Sequence, residues 1–222
     1  MGIVKPLSST AEDNLIIDRI LSGEKNLYEV LMRKYNQRLY RISRTYITDE
    51  EDINDIMQEA YIKAYEQLAR FEKRSQFSTW LIRILINEAL ARIKRKSRFV
   101  NPMIDNDNYF DNNSGSSNNV IPDPEKQSVN EELKRILEKA VDVLPMKYRT
   151  VFIMREIEGM SVAETGKCLD LSESNVKVRL NRAKEFLRKE LSKSYKNEEV
   201  FSFHLHKCDR IVSHVLDRIQ NL

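Results

Sequence analysis

Ser174, Lys177, Val178, Asn181 and Arg182 are spaced to share one face of a helix. A hydroxyl, two cations, an amide and a branched methyl group do not break bonds. They recognise: Asn and Arg reach base edges, Lys, Arg and Ser hold phosphates, and Val meets a thymine methyl group. A second set, Trp80, Arg83, Asn87 and Lys94, falls on one stripe at about 100° per residue. An aromatic ring among cations and an amide suits unpaired bases, which are held by stacking. Packing of Trp80 against neighbouring helices is an equal reading, and the two are compatible. A third set is purely charged. Asp49, Glu50, Glu51, Asp52, Asp55 and Glu59 form an acidic run without a base, and Arg92, Lys94, Arg95, Lys96 and Arg98 form a basic run without an acid. Local fields of opposite sign suggest two different partners.

Helices must position these groups. Ser161 and Glu164 stand at the spacing of a capping box, which predicts a helix start at Val162. Asp170 takes the turn, and Ser172 caps a second helix from Glu173 to about Leu191. Val176, Leu180, Ala183, Leu187 and Leu191 form its buried stripe, opposite the recognition set. The pattern is a helix-turn-helix, whose second helix fits the major groove. An ordinary helical hairpin with a charged solvent face is the plain alternative. Upstream, Ile53, Ile56, Met57, Ala60, Ala64, Leu68 and Phe71 recur at helical steps. So do Leu27, Val30, Leu31, Tyr35, Leu39 and Ile42 before them. The helix over 78–96 buries Ile82, Leu85, Ile86, Ala89 and Ile93.

Between these blocks, 101–127 is rich in Asn, Asp, Ser and Pro and has no helical period, which predicts a flexible linker. The expected fold is therefore all-α, with two helical domains joined by that linker: 12–98, a linker over 99–128, 129–193, and a C-terminal amphipathic tail over 194–222. Five Gly, five Pro and nearly a third charged residues in 222 favour helices over sheets. Two cysteines, Cys168 and Cys208, are too few for a disulfide framework. No apolar stretch spans a bilayer, and the N-terminus lacks a secretory pattern, so membrane insertion is not expected and a cytoplasmic location is.

The two blocks together resemble a bacterial RNA polymerase sigma factor of the ECF (extracytoplasmic function) group of the sigma-70 family. DINDIMQEAYIKAYEQLARF (52–71) is similar to region 2.2, FSTWLIRILINEALARIKRKSR (77–98) to regions 2.3 and 2.4, and 141–191 to region 4. The resemblance implies an initiation factor, with no enzymatic activity or cofactor, that binds core RNA polymerase through its β′ and β subunits. It directs the polymerase to −10 and −35 promoter DNA and promotes opening. Asp52, Asp55, Gln58 and Glu59 would dock on the polymerase. Lys73, Arg74, Ser75 and Gln76 would form the loop that captures a flipped −10 base. Phe77, Trp80, Arg83 and Asn87 would line the separated strands, and Lys94 and Arg95 would hold phosphates. Ser172, Ser174, Lys177, Val178, Asn181 and Arg182 would meet the −35 element. An antisigma protein clamping both domains is a further implied partner. Ser174, Asn175 and Val178 depart from residues usual in the family, which leaves the −35 sequence open.

All three His and one Cys sit in 201–222. His204, His206, Cys208 and His214 match no standard zinc spacing, so no metal site is expected. Ile211, Val212, Val215, Leu216 and Ile219 read instead as an amphipathic helix packing on region 4 or a partner, with metal and redox roles as alternatives. Two other functions stay in view. A stand-alone dimeric regulator would use 144–191 alone and need no polymerase. An RNA-binding or structural helical protein would be indifferent to Lys177 and Arg182.

Overall fold

The computed structural model describes residues 9–100 and 129–194, together with Arg210, Val212, Ser213 and Arg218. The predicted linker, 101–127, and His204, His206, Cys208 and His214 lie outside the described residues. The described residues contain helices and no strand.

The first unit comprises α1 (Ser9–Leu21), α2 (Tyr28–Arg44), α3 (Glu50–Glu66) and α4 (Phe77–Val100). α4 runs two residues past the expected domain end at 98. Asp49 caps α3 from extended backbone, its carboxylate accepting from the Asp52 amide at 2.9 Å. That satisfies one of the amides that a helix start leaves open. The stripes read from the sequence meet in one core. Leu31, Leu39, Ile42, Ile53, Ala60, Ala64, Leu68, Ile82 and Leu85 are buried together. Each large apolar side chain so buried contributes about 1.5–3 kcal/mol, and the small Ala60, Ala64 and Ala89 let helices approach closely. Val30 departs from expectation: it is 46 % exposed, because α2 turns that edge of its stripe outward. The buried Asp13 accepts from the Tyr35 hydroxyl and from Lys34 Nζ (2.5 Å), so this carboxylate is not left bare.

The second unit comprises α5 (Val129–Asp142), α6 (Met146–Phe152), a π-helical turn (Ile153–Ile157), α7 (Val162–Leu169) and α8 (Glu173–Ser194). Ala140, Leu144, Ala183 and Leu187 form its core, with Tyr148, Phe152 and Leu191 at the rim. Arg149, buried, donates to the Asp142 carbonyl at 3.0 Å and closes the end of α5. Gly159 turns the chain into α7 with φ +64, a conformation glycine adopts without a Cβ penalty.

The two helical domains expected from the sequence are both present, and they also touch. Met154, Met160 and Cys168 of the second unit belong to the apolar core of the first. α7 lies against α4, and the π turn lies against α2. Burial of three apolar side chains that neither unit's own periodicity reveals joins the two.

Candidate nucleic-acid interface

The helix-turn-helix forms as its caps dictate. The Ser161 hydroxyl accepts from the Glu164 amide (3.1 Å) while the Glu164 carboxylate accepts from the Ser161 amide (2.7 Å). Asp170 takes left-handed backbone at φ 54, which a short polar side chain tolerates. The Leu171 amide then returns to the Gly166 carbonyl at 2.9 Å. A methyl group on Gly166 would meet the Leu171 carbonyl oxygen at 2.7 Å, so the turn packs on α7 only because this residue has no side chain. Ser172 accepts from the Asn175 amide (3.3 Å) and opens α8; its hydroxyl also lies 3.1 Å from that of Ser174.

Val176, Ala183 and Leu187 are buried. Ser172, Ser174, Lys177, Val178, Asn181 and Arg182 are all exposed on the other side. Val178 is 57 % exposed with no apolar neighbour demanded by the core. Arg182 pairs with Glu185 at 3.0 Å, both exposed; such a surface pair is worth about 0–1 kcal/mol and yields readily to a phosphate. α8 therefore offers cations, an amide and a methyl group on one rigid, solvent-facing surface.

On α4 the expected set is divided. Phe77 does not line an exposed surface: it is 1 % exposed and sits among Tyr35, Phe71 and Trp80, with ring centroids 5.7–5.8 Å away. Phe77, Leu81 and Leu85 continue the apolar stripe back by one turn. That signal was available in the four-residue spacing, and it places Phe77 in the core. Trp80 is half-buried, tilted on Phe71 at 5.2 Å, so it packs and still offers an edge to solvent. Arg83, Asn87, Lys94 and Arg95 are exposed, Arg95 donating to the Ala91 carbonyl at 3.3 Å.

The loop before α4 is braced. Lys73 has φ 56, uncommon for a side-chain-bearing residue, and its ammonium reaches Asp18 of α1 at 2.5 Å. Arg74 pairs with Glu72 at 2.8 Å, both largely exposed. Gln76 is exposed and Ser75 half-buried. Sequence reasoning found the loop but not its anchor on Asp18, which lies 55 residues away.

The acidic and basic runs meet in part, through Asp52 and Asp55 on one side and Arg92 and Lys96 on the other. Asp52 is 5 % exposed. Its Oδ1 accepts from Arg92 Nε (2.9 Å) and Nη2 (2.6 Å), and its Oδ2 from Lys96. Arg92 also reaches Asp55 at 2.7 Å. Burial pushes the Asp52 carboxyl up, but the hydrogen bonds and charge of Lys96 and Arg92 outweigh it and hold the group below its ordinary value. Asp52 thus ties α3 to α4 and is not presented for docking. Asp55, Gln58 and Glu59 are exposed.

A seam runs between the units. The Glu158 side chain is 5 % exposed and accepts from Arg38 Nε and Arg41 Nη1, each at 2.9 Å; Arg38 Nη2 donates to the Glu158 carbonyl at 3.1 Å. The Thr150 hydroxyl donates to that of Thr45 at 3.0 Å. The Cys168 thiol donates to the Thr79 carbonyl at 3.4 Å, and burial pushes this thiol up to about 12. Beside the seam is a cavity of about 440 Å³, lined by Arg83 and Asn87 of α4 and by Cys168, Asp170 and Arg179 among others. Among the described residues, no group of three His, Cys, Asp or Glu side chains is placed to hold a metal ion, and no helix is long and apolar enough to cross a membrane.

Comparison with known proteins gives the family. Family models for sigma-70 region 2 and sigma-70 region 4 match residues 31–99 and 134–187. The chain is 30 % identical over 183 residues to the ECF RNA polymerase sigma-E factor of Escherichia coli (strain K12), covering 81 % of this chain and 94 % of that one. It is 29 % identical over 184 residues to the ECF RNA polymerase sigma factor SigW of Bacillus subtilis (strain 168), covering 79 % and 94 %. In fold it is similar to CnrH, solved in complex with the cytosolic domain of CnrY (TM-score 0.58, 23 % identity, 82 % of this chain and 99 % of that one). It is also similar to the sigma factor RpoE of Bartonella quintana, solved with the anti-sigma factor NepR (TM-score 0.59, 20 % identity, 74 % and 96 %). With both sigma regions present in order and a relative matched over nearly its whole length, the chain belongs to the ECF sigma factors of the sigma-70 family, transcription initiation factors that bind RNA polymerase and direct it to promoters.

Proposed function

We propose how the work is divided among this chain's residues. Unit 12–98 docks on core polymerase through Asp55, Gln58 and Glu59 of α3, a charged rim that sets register and on-rate, while Asp52 holds α3 against α4. The loop Lys73–Gln76 captures an unpaired −10 base. Trp80, Arg83 and Asn87 receive the separated strand by stacking and amide hydrogen bonds, and Lys94 and Arg95 hold phosphates. Unit 129–193 reads the −35 element with Lys177, Val178, Asn181 and Arg182, and Ser172 and Ser174 steady the backbone. The chain needs no catalytic group of its own, since polymerase supplies the chemistry. It acts in the cytoplasm, where that partner is. An antisigma protein is a further partner, a reading supported by a structural neighbour solved with an anti-sigma factor bound.

The observation that carries this reading is the exposed, capped α8 face standing in the same chain as the Trp80–Arg83–Asn87 stripe. The test is transcription from a promoter library by purified core polymerase, with and without the chain. Chain-dependent initiation at sites sharing two short elements about two DNA turns apart is the expected result. Tight duplex binding without any stimulation of polymerase would instead mark a stand-alone regulator.

A further inference from the structure

The loop that enters α4 is held at both ends and once in the middle, and the middle tie comes from outside region 2. At the entry Phe71 is buried, with the ring of Phe77 5.8 Å away and that of Trp80 5.2 Å away. At the exit the Trp80 amide donates to the Gln76 carbonyl at 3.2 Å, which fixes the start of α4. Residues 72–76 thus form a short excursion whose ends are set by the aromatic core. No apolar burial holds what lies between: Glu72, Lys73, Arg74 and Gln76 are exposed and Ser75 is half-buried.

The middle is fixed by an ion pair. Lys73 sits at φ 56, left-handed backbone that a residue with a long side chain keeps only where its surroundings impose it. Asp18 supplies the constraint, its Oδ1 accepting from the Lys73 ammonium at 2.5 Å. Asp18 stands on a well-held helix. Its neighbour Ile17 is fully buried, Ile20 is nearly so, and Asp13 on the same helix accepts from Lys34 and Tyr35. Arg74, by contrast, pairs with Glu72 of its own loop, and both are largely exposed. A tie within the loop cannot fix where the loop stands on the domain; a tie to α1 can.

We propose that Asp18 is a positioning residue for −10 reading: by holding Lys73 in left-handed backbone, it sets which base the loop admits. Lys73 is then a strut whose charge is matched within the chain, and the base is met by Arg74, Ser75 and Gln76. Asp18 precedes residues 31–99, the extent of the region 2 match, so α1 tunes the loop from outside that region. The inference rests on Lys73–Gln76 being the −10 reading loop. An exposed ion pair adds little to stability, so losing this one relaxes the loop without unfolding the domain.

The test is initiation by core polymerase and the full chain on a promoter library randomised at the −10 element. The readout is the ratio of initiation at the preferred base to initiation at the other three. Asp18→Ala should lower that ratio about threefold, the scale of one exposed ion pair, while preference at the −35 element stays as in wild type. The charge swap Asp18→Lys with Lys73→Asp adds a readout that a merely structural role would not move. It restores the pair in reverse, and Asp is among the residues that tolerate left-handed backbone. The swap should return the ratio to near the wild-type value. Each half alone should not, because it sets like charges against each other. Asp18→Ala at the wild-type ratio overturns the proposal, and so does an equal loss at the −35 element, which marks a general defect. A swap no better than its halves also overturns it, since Lys73 would then act on DNA by its own charge. Arg74→Ala and Gln76→Ala test the underlying reading. If both leave the −10 ratio unchanged, the loop does not read a base and the proposal falls with it. If they lower the ratio and Asp18→Ala does not, only the role of Asp18 falls.

Discussion

Helices α4 and α8 carry the same raw signal, an apolar stripe opposite a run of cations, and end in different situations. α8 buries one side, on Val176, Ala183 and Leu187, and leaves Lys177, Val178, Asn181 and Arg182 to solvent. α4 is enclosed more fully. Its apolar stripe enters the main core, Arg92 and Lys96 close on Asp52, and Arg83 and Asn87 adjoin the second unit. Cations of a basic helix face can thus be committed within the chain, as Arg92 and Lys96 are to the buried Asp52. What distinguishes the two helices is tertiary, not compositional.

The largest effect should come at Phe77, expected to line the separated strands and found in the core. Phe77→Ala should cost about 4 kcal/mol of stability, the loss usual for a fully buried aromatic, measured by denaturant unfolding. Trp80→Ala should cost clearly less and impair promoter opening instead, scored by permanganate reactivity of the −10 strand. Equal stability losses for both would erase the division of α4 into core and contact residues.

Next comes the α3–α4 tie. Asp52→Ala should destabilise by about 2–3 kcal/mol, because two cations lose a buried partner, whereas Asp55→Ala should stay within about 0.5 kcal/mol and weaken core polymerase binding. The effect carries a pH signature. The folded carboxyl titrates below its ordinary value, so wild type's advantage over Asp52→Ala is complete above about pH 5 and fades as pH falls through the folded pKa. An advantage unchanged down to pH 2 would show that the carboxylate's charge is not what holds the helices.

For α8 the expected losses lie in binding, not folding. Arg182→Ala should weaken promoter binding by about 1–2 kcal/mol, roughly 5- to 30-fold, and relax preference at one −35 position. Lys177→Ala should weaken binding to all sequences alike and flatten its salt dependence if it holds a phosphate. The smallest effect is at Val178→Ser, within about 0.5 kcal/mol in stability, read only as a shift in −35 preference away from thymine. A melting temperature lowered by either cation substitution would place α8 in the same class as α4.

How far the sequence carried the reading follows from the range of each interaction. α7, its turn and α8 were legible residue by residue, because Ser161, Glu164, Asp170 and Ser172 act over three or four positions. The core stripe of α3 was legible for the same reason, periodicity being a local property. Val30 shows the limit: a stripe gives the direction of a face but not the width that its neighbours cover. The contacts that reorganised the reading span 40 residues from Asp52 to Arg92 and 120 from Arg38 to Glu158. No spacing rule reaches that far, and charge runs of opposite sign do not announce whether they are meant for a partner or for each other.

Two glycines of the second unit constrain its future differently. At Gly159 space is open and the difficulty is φ +64, a matter of handedness: a D-amino acid introduced by chemical synthesis would sit there comfortably. At Gly166 the backbone is ordinary and the difficulty is volume, 2.7 Å from an added methyl to the Leu171 carbonyl oxygen. Every other amino acid is larger, so no substitution at that position improves on the first. A saturation library should therefore find Gly166 depleted of all alternatives, while position 159 retains Asn and Asp, the residues that best tolerate left-handed backbone.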